Sequence, residues 1–288
     1  MLRRPGPPLR IALLCLVGLA LTGVIALLVP LAQARDSVTL QGFVGLNQPE
    51  ITPLIERVAH LADPRPYALI GFALALIAVS RGRVRLALLI PVVLVAAGAT
   101  TTLLKPLLAT PRYDEWLGDG QIMAASWPSG HASASMTLGL LAVLAMPPRL
   151  RPTAAAAGGA FAISVSYAIL SLGWHFPSDV IGGFLNAAMW VALLVATLAA
   201  LEQRRPERRP RWAVVHDGSP RPVDAIGPIA LGAGGAAMVA AIAISHPGEI
   251  AEYALRRPTW TLGAVAIAGL AGLLAAALAR ALGQAASR

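Results

Sequence analysis

Long apolar segments alternate with short polar ones along almost the whole chain of 288 residues. Eight of these segments are predicted membrane helices, although the second is short, and none has Lys or Arg near its middle. They cover residues 11–34, 66–80, 86–104, 131–148, 154–173, 178–201, 223–245 and 259–279. The pattern predicts an all-α fold, a polytopic membrane helix bundle.

Composition and charge narrow the class of protein further. The chain is 57% hydrophobic and 13% charged, whereas a soluble domain is about 25% charged. The net charge of +9 suggests nucleic acid until the charges are assigned to loops. Most basic residues fall in alternate loops, which is the positive-inside distribution. The charge is therefore a topology signal: we expect no nucleic-acid partner, cytoplasmic N- and C-termini, and a location in the plasma (inner) membrane.

The spans divide the chain into three parts. Residues 1–201 form a predicted six-span core, and residues 223–288 add two further spans. Residues 202–222 form a basic cytoplasmic linker rich in Arg and Pro. Such a linker is suited to anionic lipid headgroups, although docking of a protein partner is an alternative.

Two features near the N-terminus need interpretation. Ala32-Gln33-Ala34 resembles a signal-peptide cleavage site, but the apolar run before it is longer than a signal core, so we interpret it as a membrane helix. The next segment, 36–64, has apolar residues at helical spacing, which is typical of a helix on the outer membrane surface. Pro49 and Pro53 are expected to divide it into two pieces. A passive interfacial helix and a lid over a substrate remain alternatives.

Polar residues gather in three clusters at span ends that the charge distribution assigns to one extracytoplasmic face. Lys105 and Arg112 follow the third span, Pro128-Ser129-Gly130-His131 opens the fourth, and His175-Phe-Pro-Ser-Asp179 opens the sixth. The prolines of the last two clusters mark helix starts, which favour anions. Gly130 allows close approach to the backbone, and the two cations add positive charge. The predicted ligand is a tetrahedral oxyanion such as phosphate.

The spacing of His175 and Asp179 also predicts chemistry. Residues four apart meet across one helical turn, so the carboxylate can hold one ring nitrogen and leave the other able to attack. His175 is therefore the candidate nucleophile, and His131 is the candidate acid for a departing oxygen. Alone, each cluster is more often a membrane anchor, a turn or a helix cap. Their combination favours phosphoryl chemistry.

With these motifs the sequence resembles the type 2 phosphatidic acid phosphatase superfamily, whose pattern is Lys-x6-Arg-Pro, Pro-Ser-Gly-His and Ser-Arg-x5-His-x3-Asp. The resemblance covers roughly residues 36–201. It implies a phosphohistidine at His175 oriented by Asp179, with His131 as general acid. It further implies phosphate binding and no metal or other cofactor; the phosphate-binding residues would be Lys105, Arg112, Ser129 and Gly130.

The sequence departs from the family pattern at two places. Tyr113 replaces the proline of the first motif, a minor change in a turn. Ala168 and Ile169 replace the Ser-Arg of the third motif, and no Lys or Arg lies between Arg151 and Arg204 to compensate. A lost charge-assisted hydrogen bond to an anion costs roughly 1.5–3 kcal/mol, so we expect reduced activity.

Three hypotheses follow. The first is a phosphatase of a lipid phosphate or polyprenyl diphosphate such as undecaprenyl diphosphate, with membrane lipids as its other partners. The second is a catalytically weak relative that binds or moves a phosphorylated lipid. The third, a secondary transporter, lacks repeated halves and charge in mid-membrane. Arg256 and Arg257, before the last span, are candidates to replace the missing arginine. The sequence leaves the particular lipid and the oligomeric state open.

Overall fold

The computed structural model describes residues 4–207 and 249–286. These residues form ten α-helices and no strand, so the predicted all-α class is confirmed. The helices are α1 Gly6–Leu28, α2 Pro30–Val44, α3 Thr52–His60, α4 Pro64–Ser80, α5 Val84–Leu107, α6 Gly130–Ala145, α7 Arg151–Ser171, α8 Pro177–Arg204, α9 Glu249–Arg256 and α10 Pro258–Ala286.

Five of the described helices are long and apolar enough to cross a membrane, namely α1, α5, α7, α8 and α10. A sixth span results if α3 and α4, which meet at a bend of 52°, are counted together. Helix α6 is apolar but has only 16 residues. The predicted seventh span, 223–245, and residues 208–222 of the predicted linker lie outside the described residues.

The first predicted span, 11–34, is wrong at its C-terminal end. Helix α1 ends at Leu28, and Val29 has an extended backbone before Pro30 opens α2. Proline has no N–H to continue the hydrogen bonding of α1, but it fits the first turn of a new helix. The chain therefore turns six residues earlier than hydropathy indicates, and residues 31–34 belong to α2.

The segment predicted as an outer-surface helix at 36–64 contains the end of α2 and all of α3. Pro49 lies in the break between them, whereas Pro53 lies in the first turn of α3, so only Pro49 divides the segment. Helix α2 also packs against α10, α7 and α8, and its Leu40 and Phe43 are buried. It is thus part of the bundle.

Small residues bring the central helices close together. A Cβ on Gly158 of α7 would lie 2.6 Å from the Cα of Gly139 on α6, so these backbones are almost in contact. The Nδ2 of Asn186 on α8 donates to Ser133 Oγ on α6 at 2.8 Å and to the Ala97 carbonyl on α5 at 3.0 Å. Close backbones and interhelical hydrogen bonds are what stabilise helix packing in lipid.

Helix α10 is anchored to the same bundle. The Tyr167 hydroxyl of α7 donates to the Ala264 carbonyl of α10 at 2.7 Å. Before α10, the Tyr253 hydroxyl donates to the Gly42 carbonyl at the end of α2 at 2.6 Å. The last predicted span therefore packs against α7 and α2.

Candidate active site

The start of α8 positions the candidate nucleophile. Pro177 occupies its first turn, and Asp179, which is fully buried, turns back toward the residues before it. Asp179 Oδ2 accepts from the Phe176 N–H at 3.0 Å and lies 3.2 Å from His175 Nδ1. The predicted contact between His175 and Asp179 is present. Because the carboxylate holds Nδ1–H, the Nε2 lone pair is the one that can attack.

Arg112 reaches this pair from the loop after α5. Its Nη2 donates to Asp179 Oδ1 at 2.5 Å and to Ser126 Oγ at 2.6 Å, and its Cζ lies 4.0 Å from the centre of the Phe176 ring. Its side chain is only 3% exposed. The guanidinium predicted to bind phosphate is thus already bonded to the carboxylate that orients His175.

A second carboxylate, Asp36 of α2, contacts the same guanidinium and was missed by the sequence analysis. Its Oδ2 lies 3.2 Å from Arg112 Nη1. Its Oδ1 accepts from the Ser178 N–H at 3.0 Å, and its Oδ2 also accepts from the Ser178 hydroxyl. Asp36 therefore sits at the N-terminus of α8, where the sequence predicts an anion. It follows the first span without any spacing motif, so no sequence signal points to it.

Burial determines the charge of Asp36. Desolvation, with the nearby charge of Asp179 adding to it, raises the pKa of Asp36 to about 7, although Ser178 and Arg112 act in the opposite direction. Near neutral pH, Asp36 therefore exists in both its neutral and its ionised form. Only the ionised form makes a full ion pair with Arg112.

The Pro-Ser-Gly-His cluster opens α6 as predicted. Ser129 is the N-cap residue: its hydroxyl accepts from the Ala132 N–H at 3.3 Å, and its N–H donates to the Asp179 carbonyl at 2.9 Å. The side chain is fully buried, so it caps the helix and joins the two helix starts. Around Gly130, an added Cβ would meet one atom, at 3.9 Å. The backbone of Gly130 is accordingly open to a ligand.

His131 and His175 face each other across the site. Their ring centres are 6.5 Å apart, so both rings can reach one phosphoryl group. Lys105, at the end of α5, lies within electrostatic range of His131 and Asp179. The structure thus brings the predicted residues of all three motifs to one end of the bundle. Their individual roles stay predictions.

A second carboxylate–histidine contact lies beside His131 and was also missed. Asp63, the residue before α4, places Oδ1 3.0 Å from His131 Nε2 and Oδ2 2.9 Å from His60 Nδ1. The Trp174 ring packs near both histidines, 5.7 Å from the His131 ring and 5.6 Å from the His60 ring, centre to centre. Asp63 is 68 residues from His131 in sequence, which is why no motif revealed it.

The position of the missing arginine is apolar. Ile169 is fully buried in the hydrophobic core. The proposed replacements are engaged elsewhere: Arg256, which is exposed, pairs with Glu252, and Arg257 contacts the Tyr253 ring and the Gln41 carbonyl. These contacts do not support the idea that either arginine replaces the missing one at the phosphate. That replacement stays a prediction.

No group of three or more His, Cys, Asp or Glu in the described part of the chain is arranged to hold a metal ion. The carboxylates of the site are instead bonded to Arg112, histidines and backbone N–H groups.

Comparison with known proteins supports the resemblance seen in the motifs. Residues 86–203, which contain all three motifs, match the PAP2 superfamily, so the predicted resemblance is confirmed. Among solved structures, the chain is similar to the crystal structure of the first transmembrane PAP2 type phosphatidylglycerolphosphate phosphatase from Bacillus subtilis. The two share 19% sequence identity, the match covers 69% of this chain and 98% of that chain, and the TM-score is 0.46. A search of curated proteins gave no significant match.

Proposed function

We propose that this protein hydrolyses a lipid phosphate or polyprenyl diphosphate without a metal ion, through a phosphohistidine at His175. The PAP2 match and the apolar helices support a membrane phosphatase of lipid phosphates in general. The histidine intermediate and the substrate group are our more specific proposal. One observation carries it: the buried pair of His175 and Asp179, with Nε2 of His175 directed away from the carboxylate and His131 opposite.

The reaction has two steps. In the first, His175 Nε2 attacks phosphorus and forms a P–N bond while the bond to the leaving oxygen breaks; His131 gives that oxygen its proton. In the second, His131 removes a proton from water as the water oxygen attacks phosphorus, and the P–N electron pair returns to His175. The products are an alcohol, or a lipid monophosphate, and inorganic phosphate. His131 ends with the proton that it began with.

The substrate class follows from the location of the site. The three motifs meet at the helix starts of α6 and α8, at one end of an apolar bundle. A lipid can reach this level with its headgroup while its tail stays in the membrane. Together with the positive-inside distribution, this supports a site that opens to the extracytoplasmic leaflet of the plasma membrane.

The test is phosphate release by the purified full-length protein from phosphatidic acid, phosphatidylglycerol phosphate and undecaprenyl diphosphate. We expect turnover of at least one, undiminished by a chelator, and loss of turnover in His175→Ala. Asp119→Asn, a change at an exposed loop residue, is the matched control. Rapid quenching should trap an acid-labile phosphoryl label on wild-type protein and none on His175→Ala. Persistent turnover in His175→Ala would refute the mechanism.

The second candidate is a protein that binds or moves a phosphorylated lipid and has little activity. Arg112 favours it, because its guanidinium is shared between Asp36 and Asp179, and so does the apolar position of Ile169. Tight binding of one lipid of the panel, with no phosphate release and no trapped label, would establish this candidate over hydrolysis.

A further inference from the structure

The general acid of the proposed function is held by a carboxylate that belongs to none of the three motifs. Asp63 Oδ1 lies 3.0 Å from His131 Nε2, and its other oxygen lies 2.9 Å from His60 Nδ1. One carboxylate therefore joins two imidazoles. The arrangement parallels that on the other side of the site, where Asp179 holds Nδ1 of His175.

The contact defines which nitrogen of His131 can serve the substrate. A ring nitrogen bonded to Asp63 cannot face a leaving oxygen at the same time, so Nδ1 is the nitrogen left for proton transfer. A carboxylate beside an imidazole also stabilises the imidazolium form, which is the form that must be present when the first step begins. The environment otherwise opposes that charge, because His131 is partly desolvated and lies near Lys105 and His175.

We infer that Asp63 is the positioning residue of His131: it orients the ring with Nδ1 toward the leaving oxygen. His60 and Trp174 complete the arrangement, since His60 binds the second carboxylate oxygen and the Trp174 ring packs against both histidines. This inference rests on the proposed function. It adds the residue before α4 and the last residue of α3 to a site that the motifs assign to the ends of α5, α6 and α8.

The neighbours of His131 on each side determine the expected pH effect. Asp63 from the start of α4 favours its charge, whereas Lys105 from α5 and His175 before α8 oppose it when they are protonated. Without the carboxylate, His131 should lose its proton at a lower pH. Turnover should therefore begin to fall at a lower pH, because the acid is needed protonated.

The experiment compares kcat and KM of wild type, Asp63→Asn, His60→Phe and Asp119→Asn between pH 5 and 9, on whichever lipid the wild type hydrolyses. For Asp63→Asn we expect kcat to fall by about 10- to 100-fold, at or below the lower end of the roughly 10²- to 10⁴-fold effect of general acid catalysis, because the acid itself remains. We expect KM to change little. The alkaline limb of Asp63→Asn should move to lower pH. His60→Phe keeps a ring against Trp174 but loses the bond to Asp63 Oδ2, so the carboxylate is held less firmly and kcat should fall by a smaller factor. Asp119→Asn should match wild type.

The outcomes separate this inference from the proposed function. Absence of turnover by wild type on every lipid would overturn both. If His131→Gln abolishes turnover while Asp63→Asn keeps the wild-type kcat and alkaline limb, the inference is wrong and the proposed function stands. An equal loss at every pH would indicate a structural role and would also overturn the inference. If Asp63→Asn fails to fold, His60→Phe becomes the deciding variant, and a wild-type kcat in it would refute the inference.

Discussion

Substitution of Asp36 by Asn should strengthen phosphate binding, and the effect should depend on pH. In the wild type, ionised Asp36 binds Arg112 Nη1 at 3.2 Å and the Ser178 N–H at 3.0 Å. A phosphate would need these same donors at the start of α8. Asparagine has nearly the same shape and can still accept from Ser178, but it carries no charge. The substitution should therefore release Arg112 from an anionic competitor without removing a side chain.

The expected gain in phosphate affinity follows from the strength of the contact between Asp36 and Arg112. A charge-assisted hydrogen bond is worth about 1.5–3 kcal/mol, which corresponds to about 10- to 150-fold in affinity. Arg112 keeps its bond to Asp179 in the variant, so we expect the lower end, about tenfold. The pKa of Asp36 is raised to about 7. At pH 8 the ionised form predominates and the full difference should appear, whereas at pH 6 wild-type Asp36 is mostly neutral and the difference should nearly vanish.

The assay is the inhibition constant of inorganic phosphate for wild type and Asp36→Asn at pH 6 and pH 8. The ratio between the proteins is the informative quantity, because the titration of phosphate itself affects both equally. Equal ratios at the two pH values would refute competition by Asp36. Weaker phosphate binding in the variant would show instead that Asp36 holds Arg112 in a productive position.

Thermal stability gives an independent check on the same residue. A carboxyl group whose pKa is higher in the folded protein than in the unfolded chain binds more protons when folded. Its stabilising effect is present at low pH and is lost as pH rises through about 7. The Tm of wild type should therefore fall relative to that of Asp36→Asn between pH 6 and pH 8.

Three further predictions concern the helices around the site. Gly158→Val should lower the free energy of unfolding by about 1–3 kcal/mol through overpacking, because its side chain would meet the backbone of α6. The control is Gly98→Val, where a Cβ has open space, and the measurement is Tm in detergent. Arg256→Ala should keep the kcat of wild type, since its guanidinium pairs within α9; a loss as deep as that of Arg112→Ala would show that it reaches phosphate. Ile169→Arg should lower KM relative to Leu170→Arg, which buries a charge at an equally enclosed neighbour, and equal KM values in the two variants would contradict this.

The helices were largely predictable because their cause is local. Hydropathy located α5 and α8 within a few residues, since a membrane helix must be apolar along its whole length. The end of α1 was missed because Val29 and Leu31 continue the apolar run on both sides of Pro30. Backbone conformation changes there while hydropathy does not. A proline inside an apolar run was the available signal.

Some contacts of the site could be predicted from the sequence, and others could not. His175 and Asp179 meet across one helical turn, so their spacing alone predicted the contact. Asp36 and Asp63 meet their partners across 76 and 68 residues, and such contacts depend on how α2 and α4 pack. The charge distribution assigned the segment that holds both residues to the same face as the three motifs, and the structure places both residues against motif residues.

The carboxylates change how anion binding by this site has to be explained. Lys105 and Arg112 bring two positive charges, whereas Asp36, Asp63 and Asp179 bring up to three negative ones. With every carboxylate ionised and both histidines neutral, the net charge of the site is negative, which disfavours phosphate binding. Protonation of Asp36 and of His131 makes the net charge of the site positive. A neutral Asp36 releases Arg112, and a protonated His131 adds a cation. Phosphate binding and the first proton transfer are thus favoured by the same change in pH, and the open backbone at Gly130 supplies uncharged N–H donors at any pH. Activity is accordingly expected to be higher on the acid side of neutrality.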